Sequence, residues 1–292
     1  MEAAAINRLL PAEMLERVFH LLPPRDRMAV VLVCRWWREV GEVPALWTWV
    51  TITVTRWNLA VMPEVLEARR VAGVRRVVAW VVSEEVLEAV ARHTGVQQLV
   101  IKGTYLPTVS PALVARVVAG RQEVVLRTPR EDNLTPQQAG ALCSLVTREA
   151  ATLRRLDLGN SDLSTVEPGV LALAVARLEE VDLWRSRLTS RQAVALFAAL
   201  DAPDSRLVSL ALFGNDLGAV EAGRLGRVVN RLERVDLRAC CLSTTQVTSV
   251  LSSCLASTRL TSLLLDWVEG LPMDLVTTAS QGIQQLVFHR RP

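Results

Sequence analysis

Five segments of the chain align at the same apolar positions. They are LRRLDLGNSDL from Leu153, LEEVDLWRSRL from Leu178, LVSLALFGNDL from Leu207, LERVDLRACCL from Leu232 and LTSLLLDWVEG from Leu260. A sixth, IQQLVFH, starts at Ile283, and the starts lie 25, 29, 25, 28 and 23 residues apart. Spacing this regular confines the chain to a stack of supersecondary units. Leucines two apart on a strand share a face, so Leu156 and Leu158 point inward while Arg155, Asp157 and Gly159 point outward. No single copy can bury its own apolar side, so the core comes from stacked neighbours. Between copies, stretches such as RQAVALFAAL and EAGRLGRVVN carry apolar residues at helical spacing and predict an outer layer of helices. The position that turns the chain after each strand holds Ser161, Ser186, Asn215 and Cys240, small side chains suited to satisfying backbone groups.

The pattern L-x-x-L-x-L-x-x-N/C-x-L and its period resemble a leucine-rich repeat. Weaker copies run upstream: RQEVVLRTPREDNL from Arg121, VQQLVIKGTYL from Val96, VRRVVAW from Val74 and WVTITV from Trp49. The expected fold class is α/β, a solenoid of about nine repeats over residues 49–292, with parallel inner strands and outer helices. Solenoids of this kind bind through their strand face. The register places Trp184 and Phe213 on neighbouring strands of that face, flanked by Asp157, Asp182, Asp236 and Arg238. Exposed aromatics beside charges make interface hot spots. The expectation is a client carrying a basic group.

Before Trp49 the repeat is absent. LLPAEMLERVFHLL reads as a helix opened by Pro11, with Leu15, Val18, Phe19 and Leu22 along one side. Pro23 and Pro24 end it. The next stretch predicts one helix from Asp26 as N-cap to Gly41, striped by Ala29, Leu32, Val33, Trp36, Trp37 and Val40. A segment this short struggles to fold alone. Yet it carries Trp36, Trp37 and Trp47, each able to hide roughly 150–250 Å². Surface on that scale has to meet the repeats or a partner.

The stretch LLPAEMLERVFHLLPPRDRMAVVLVCRWWREVGEVPALW resembles an F-box, a small all-α, three-helix module, over about residues 6 to 48. The resemblance rests on Leu10–Pro11, LERVF, the LP-x-R-D turn, VCRWWR and the closing Leu46–Trp47; Trp36 stands where the family more often has a basic residue. F-box proteins dock on a Skp-type adaptor in cullin–RING ubiquitin ligases. The resemblance therefore implies an adaptor-binding or core-supporting set of Leu10, Pro11, Leu15, Val18, Phe19, Leu22, Val33, Cys34, Trp37, Leu46 and Trp47. It divides the chain into an F-box over 1–48 and repeats over 49–292.

Other classes find little support. Basic and acidic residues number 33 and 30, a net charge of +3, which sets up no strong field for nucleic acid or membrane. No apolar run approaches the roughly 20 residues of a membrane span. His20, His93 and His289 are scattered, there is no C-x-x-C, and no phosphate-binding glycine loop occurs, so neither metal nor cofactor is expected. The five cysteines form no disulfide framework, which points to the cytoplasm and/or nucleus and makes the sequon at Asn133 a chance match. Lys102 is the only lysine; biased codon usage accounts for this more simply than avoidance of self-ubiquitination. The expectation is a non-catalytic substrate receptor of an SCF-type ubiquitin ligase. The alternative is a scaffold or inhibitor-like repeat protein whose helical head only caps the solenoid.

Overall fold

A computed structural model describes residues 10–48, 50–102, 106–127, 134–149, 152–255 and 257–289. The start of the F-box-like stretch, Trp49 and Asn133 lie outside them. Among the described residues ten strands form a sheet in chain order, against the sequence count of about nine, and every ladder given between neighbours is parallel. No helix among the described residues is long and apolar enough to cross a membrane. The chain divides into two compact units, Met1–Val100 and Ile101–Pro292.

The first unit opens with three short helices, α1 (Ala12–Leu21), α2 (Pro24–Val30) and α3 (Arg35–Gly41), followed by a 3-10 turn, Pro44–Trp47. It continues through β1 (Thr51–Val54), α4 (Met62–Glu67), β2 (Arg76–Ala79), α5 (Glu84–Arg92) and β3 (Gln98–Ile101). The helix expected from Asp26 to Gly41 is in fact two. Asp26 sits inside the first turn of α2, which starts at Pro24 behind an N-cap at Pro23. Val30, Val31 and Val33 are β-branched and stiff at χ1, a poor run for an unbroken helix. Leu32 N and Val33 N close tight turns onto Ala29 O and Val30 O instead. Cys34 is then extended (φ −160°, ψ 172°), and its sulfur accepts from Trp37 N at 3.5 Å, capping α3.

The second unit alternates helix and strand: α6 (Pro111–Val118), β4 (Glu123–Leu126), α7 (Pro136–Glu149), β5 (Arg155–Asp157), α8 (Pro168–Ala176), β6 (Glu180–Asp182) and α9 (Ser190–Leu200). It closes with β7 (Ser209–Ala211), α10 (Ala222–Arg231), β8 (Arg234–Asp236), α11 (Thr244–Cys254), β9 (Ser262–Asp266), α12 (Met273–Gly282) and β10 (Gln285–His289). The inward pairs Leu156/Leu158, Val181/Leu183, Leu210/Leu212, Val235/Leu237 and Leu263/Leu265 are all buried. Truncating one of these leucines to alanine costs about 2–5 kcal/mol through lost transfer energy and the cavity left behind.

Polar groups repeat with the same regularity. Asn215 Oδ1 accepts from Ser186 N and Leu188 N at 3.1 and 3.2 Å, and its Nδ2 donates to Leu183 O and Leu212 O. Ser186 Oγ donates to Leu158 O, and the Cys240 thiol to Leu212 O. Three of the four turn positions thus tie their strand ends to the preceding copy, whereas the buried Ser161 hydroxyl makes no such bond. At the helix starts, buried Gln138, Gln192 and Gln246 accept from the backbone N–H of Thr135, Thr189 and Ser243. Their amide nitrogens donate to carbonyls one repeat earlier: Leu106 and Val109, Leu163 and Val166, Leu217 and Val220. Each glutamine therefore caps its own helix and fastens it to its neighbour. The intervening helices α8 and α10 use Glu167 and Glu221 as caps instead.

Candidate functional site

The two surfaces singled out by the sequence fall in different units. In the helical head, Leu15, Phe19, Leu46 and Trp47 are buried, with exposures of 2, 1, 1 and 4%. These four belong to the set expected to bind an adaptor or to support the core; they lie in the head's own core, because α1 is amphipathic and turns this side onto the 3-10 turn. Phe19 meets Trp37 edge to face at 5.2 Å, and Trp47 Nε1 donates to Gly41 O at 2.9 Å. Leu10, Leu22, Cys34 and Trp37 are half-buried, whereas Pro11, Val18 and Val33 are exposed. Met14, Leu21, Met28 and Leu32 join Val18 and Val33 as exposed apolar side chains of the head, Leu21 at 84% and Leu32 at 77%.

Sequence reading missed the residue that holds this head together. Arg27 is 8% exposed, and its guanidinium donates Nε to Leu22 O at 2.8 Å, Nη2 to His20 O at 2.6 Å and Nη1 to Leu46 O. It thereby ties the carbonyl end of α1 to the 3-10 turn. A cation there also suits the negative end of the α1 dipole.

In the second unit the outward residues of the strands line up in columns. Where the strands begin, Arg155 lies between Glu123 and Glu180 at 3.4 and 3.6 Å, and Arg234 pairs with Glu180 at 2.7 Å. In the middle column Asp157, Asp182 and Asp236 each accept, through Oδ1, the backbone N–H two residues on, at 3.1 Å. Their other oxygens are engaged by arginines. Arg127 Nη2 bridges Asp157 and Asp182 at 2.7 and 2.5 Å, and Arg238 grips Asp236 through Nε and Nη2 at 2.9 and 2.6 Å. Burial pushes the Asp157 carboxyl up to about 6, with the Asp182 charge adding and Arg127 opposing. Burial also raises Asp182, while the bond to Asp236 raises Arg238. Asp157, expected to face a client, has a side chain only 3% exposed and lies beneath this network.

The aromatic column is assembled by two glycines. Trp184 and Phe213 are half-buried with ring centroids 6.4 Å apart. A Cβ on Gly159 would fall 1.9 Å from the Trp184 indole, so the ring lies on bare backbone. A Cβ on Gly214, itself at φ 75°, would meet Arg185 Cγ at 2.8 Å. Arg185 is exposed, at φ 50°, and its guanidinium lies over Trp184 and Phe213 at 5.8 and 5.6 Å. Arg127 lies over Trp184 at 5.9 Å and Arg238 over Phe213 at 5.3 Å. Cation–aromatic attraction operates within about 6 Å. Arg185 also escaped sequence reading, since its residue number falls in the turn rather than in an outward strand column; the signal was its place next to Trp184, one repeat before Gly214.

No group of three or more metal-ligating side chains occurs among the described residues. What the geometry offers is contact: an apolar head surface and an aromatic, arginine-rimmed strand face. Residues 8–53 match the F-box-like family. The chain thus carries an F-box-like segment at its head, ahead of a parallel sheet built from repeating strand–helix units. Among solved structures, the chain is similar to the leucine-rich repeat-containing protein LegL7 from Legionella pneumophila, at 17% identity and a TM-score of 0.49. The match covers 85% of this chain and 87% of that one. No curated protein matches the chain in sequence. An F-box-like head followed by repeats is the build of a protein-interaction adaptor.

Proposed function

We propose that this protein is the substrate-recognition subunit of an SCF-type ubiquitin ligase, with residues 1–48 docking on a Skp-type adaptor and the repeats of 49–292 holding a protein client. The observation that supports this most is the apolar surface of Val18, Leu21, Leu32 and Val33, exposed within the segment that matches the F-box-like family. Exposed side chains of this kind, on a head whose core is already filled by Leu15, Phe19, Leu46 and Trp47, suit a protein partner. The chain itself performs no bond-making step in this reading. It raises the effective concentration of client lysines beside the ubiquitin-loaded enzyme recruited through the adaptor.

The test is co-expression with a Skp-type adaptor followed by size-exclusion chromatography. The double variant Val18→Glu, Val33→Glu changes exposed positions only, so its circular dichroism should match wild type. A stoichiometric complex with wild type that is lost in this variant supports the ligase reading. A folded wild type that forms no complex returns the head to the role of a cap on a binding scaffold.

A further inference from the structure

The strand face was expected to hold a basic client because it gathers aspartates, yet those aspartates are already engaged. Of Asp157, Asp182 and Asp236, every carboxylate has one oxygen on a backbone N–H and the other on Arg127 or Arg238. A lysine or arginine arriving from outside would have to displace an internal guanidinium. The most solvent-facing member of the network is Arg127. Arg127 keeps 45% of its side chain exposed and Arg238 29%, against 3, 27 and 16% for the three aspartates. Arg185, whose five N–H donors form no ion pair among the described residues, stands over both rings.

We propose that the Trp184–Phe213 face takes an acidic peptide segment, an apolar side chain lying against the two rings and flanking carboxylates meeting Arg185, with Arg127 and Arg238 to either side. Arginine suits this work because its planar fork can stack on an aromatic ring and still present N–H donors in the bidentate geometry of a carboxylate. Gly159 and Gly214 then have a common purpose: each omits a Cβ so that Trp184 and Arg185 lie flat on the sheet and leave the space above them to the peptide. The proposal rests on the strand face being the client-binding surface.

The experiment uses the full chain and three short fluorescein-labelled peptides that share one leucine–phenylalanine anchor and carry glutamate, glutamine or lysine on both sides. Fluorescence anisotropy should rank them glutamate, glutamine, lysine in falling affinity, the glutamate peptide weakening as salt rises. Arg185→Gly suits the φ of 50° and keeps the fold. It should weaken the glutamate peptide by on the order of fivefold, the worth of one exposed ion pair, and leave the glutamine peptide unchanged. Trp184→Ala should weaken all three alike. Binding of the lysine peptide as tight as the glutamate one overturns the proposal, as does a glutamate peptide that fails to bind or that ignores Arg185→Gly. Adaptor binding is measured separately. Loss of that binding with glutamate selectivity intact would remove the ligase reading alone, and the converse would remove this proposal alone.

Discussion

Replacing Arg27 with methionine keeps most of the side-chain volume and removes three charge-assisted hydrogen bonds, to Leu22 O, His20 O and Leu46 O. Such bonds contribute roughly 1.5–3 kcal/mol each, about 4.5–9 kcal/mol in all. Against this stands the several kcal/mol spent in desolvating a guanidinium that is 8% exposed. The carbonyls of His20 and Leu22 end α1 and can partly return to water, whereas Leu46 is buried. The net loss should be about 2–4 kcal/mol, concentrated in a head with little core to spare. Arg27→Lys should cost about half of that, because an ammonium is a point charge without the fork that spans three carbonyls. Hydrogen exchange read by mass spectrometry is the assay. Amides of α1 and α3 should exchange roughly 30- to 700-fold faster in the methionine variant, at about 1.4 kcal/mol per tenfold, while those of α9 and α10 keep their rates. Adaptor binding should fall and peptide binding by the strand face should persist. A uniform loss across both units, or a change in α1 below about 0.5 kcal/mol, would refute the assignment of Arg27 as the tie that holds the head.

Three further outcomes are expected. Burial holds Asp157 near 6, above its ordinary 3.8, so the folded state binds a proton before the unfolded chain does. Wild type should therefore gain stability relative to Asp157→Asn as pH falls from about 6.5 towards 4, by at most about 1.4 kcal/mol per pH unit, and urea titrations at stepped pH would expose the opposite slope. Gln192→Ala leaves Thr189 N, Leu163 O and Val166 O without their buried partner and should cost about 2–4 kcal/mol in urea unfolding, against under about 0.5 kcal/mol for the exposed Arg191→Ala. Burial pushes the thiols of Cys143, Cys240 and Cys254 up to about 12, so iodoacetamide on the folded protein should spare all three and alkylate exposed Cys241, as peptide mass spectrometry would read.

The solenoid was legible in the sequence because its core is linear. Leucines at fixed spacing mean strand, turn and helix in order, and each copy restates the one before. The helical head was legible only as a composite of weak signals. Within it the break between α2 and α3 was hidden, since the apolar stripe through Leu32 and Val33 fits one helix, and the turn at Val31–Val33 is set by β-branched crowding and a thiol cap. The strand face was legible in its columns. Who satisfies whom was not, because Arg127 reaches Asp182 across 55 positions of sequence and no local pattern encodes that bridge. Arg185 was hidden by the left-handed turn that tips its side chain back over the rings.

The alternation of glutamine-capped and glutamate-capped helices bears on how such a chain gets longer. Gln138, Gln192 and Gln246 recur every 54 residues, as do Glu167 and Glu221, Arg177 and Arg231, and the strand starts Arg155 and Ser209. Arg177 donates to Thr147 O and Arg231 to Asp201 O, again 54 apart. The heritable module is therefore a pair of repeats. Duplication or loss of one pair meets matching partners at both seams, whereas a step of a single repeat sets two helices of the same type side by side and leaves a glutamine facing the wrong carbonyls. Relatives of this chain should differ in length by whole pairs, each adding two strands to the sheet.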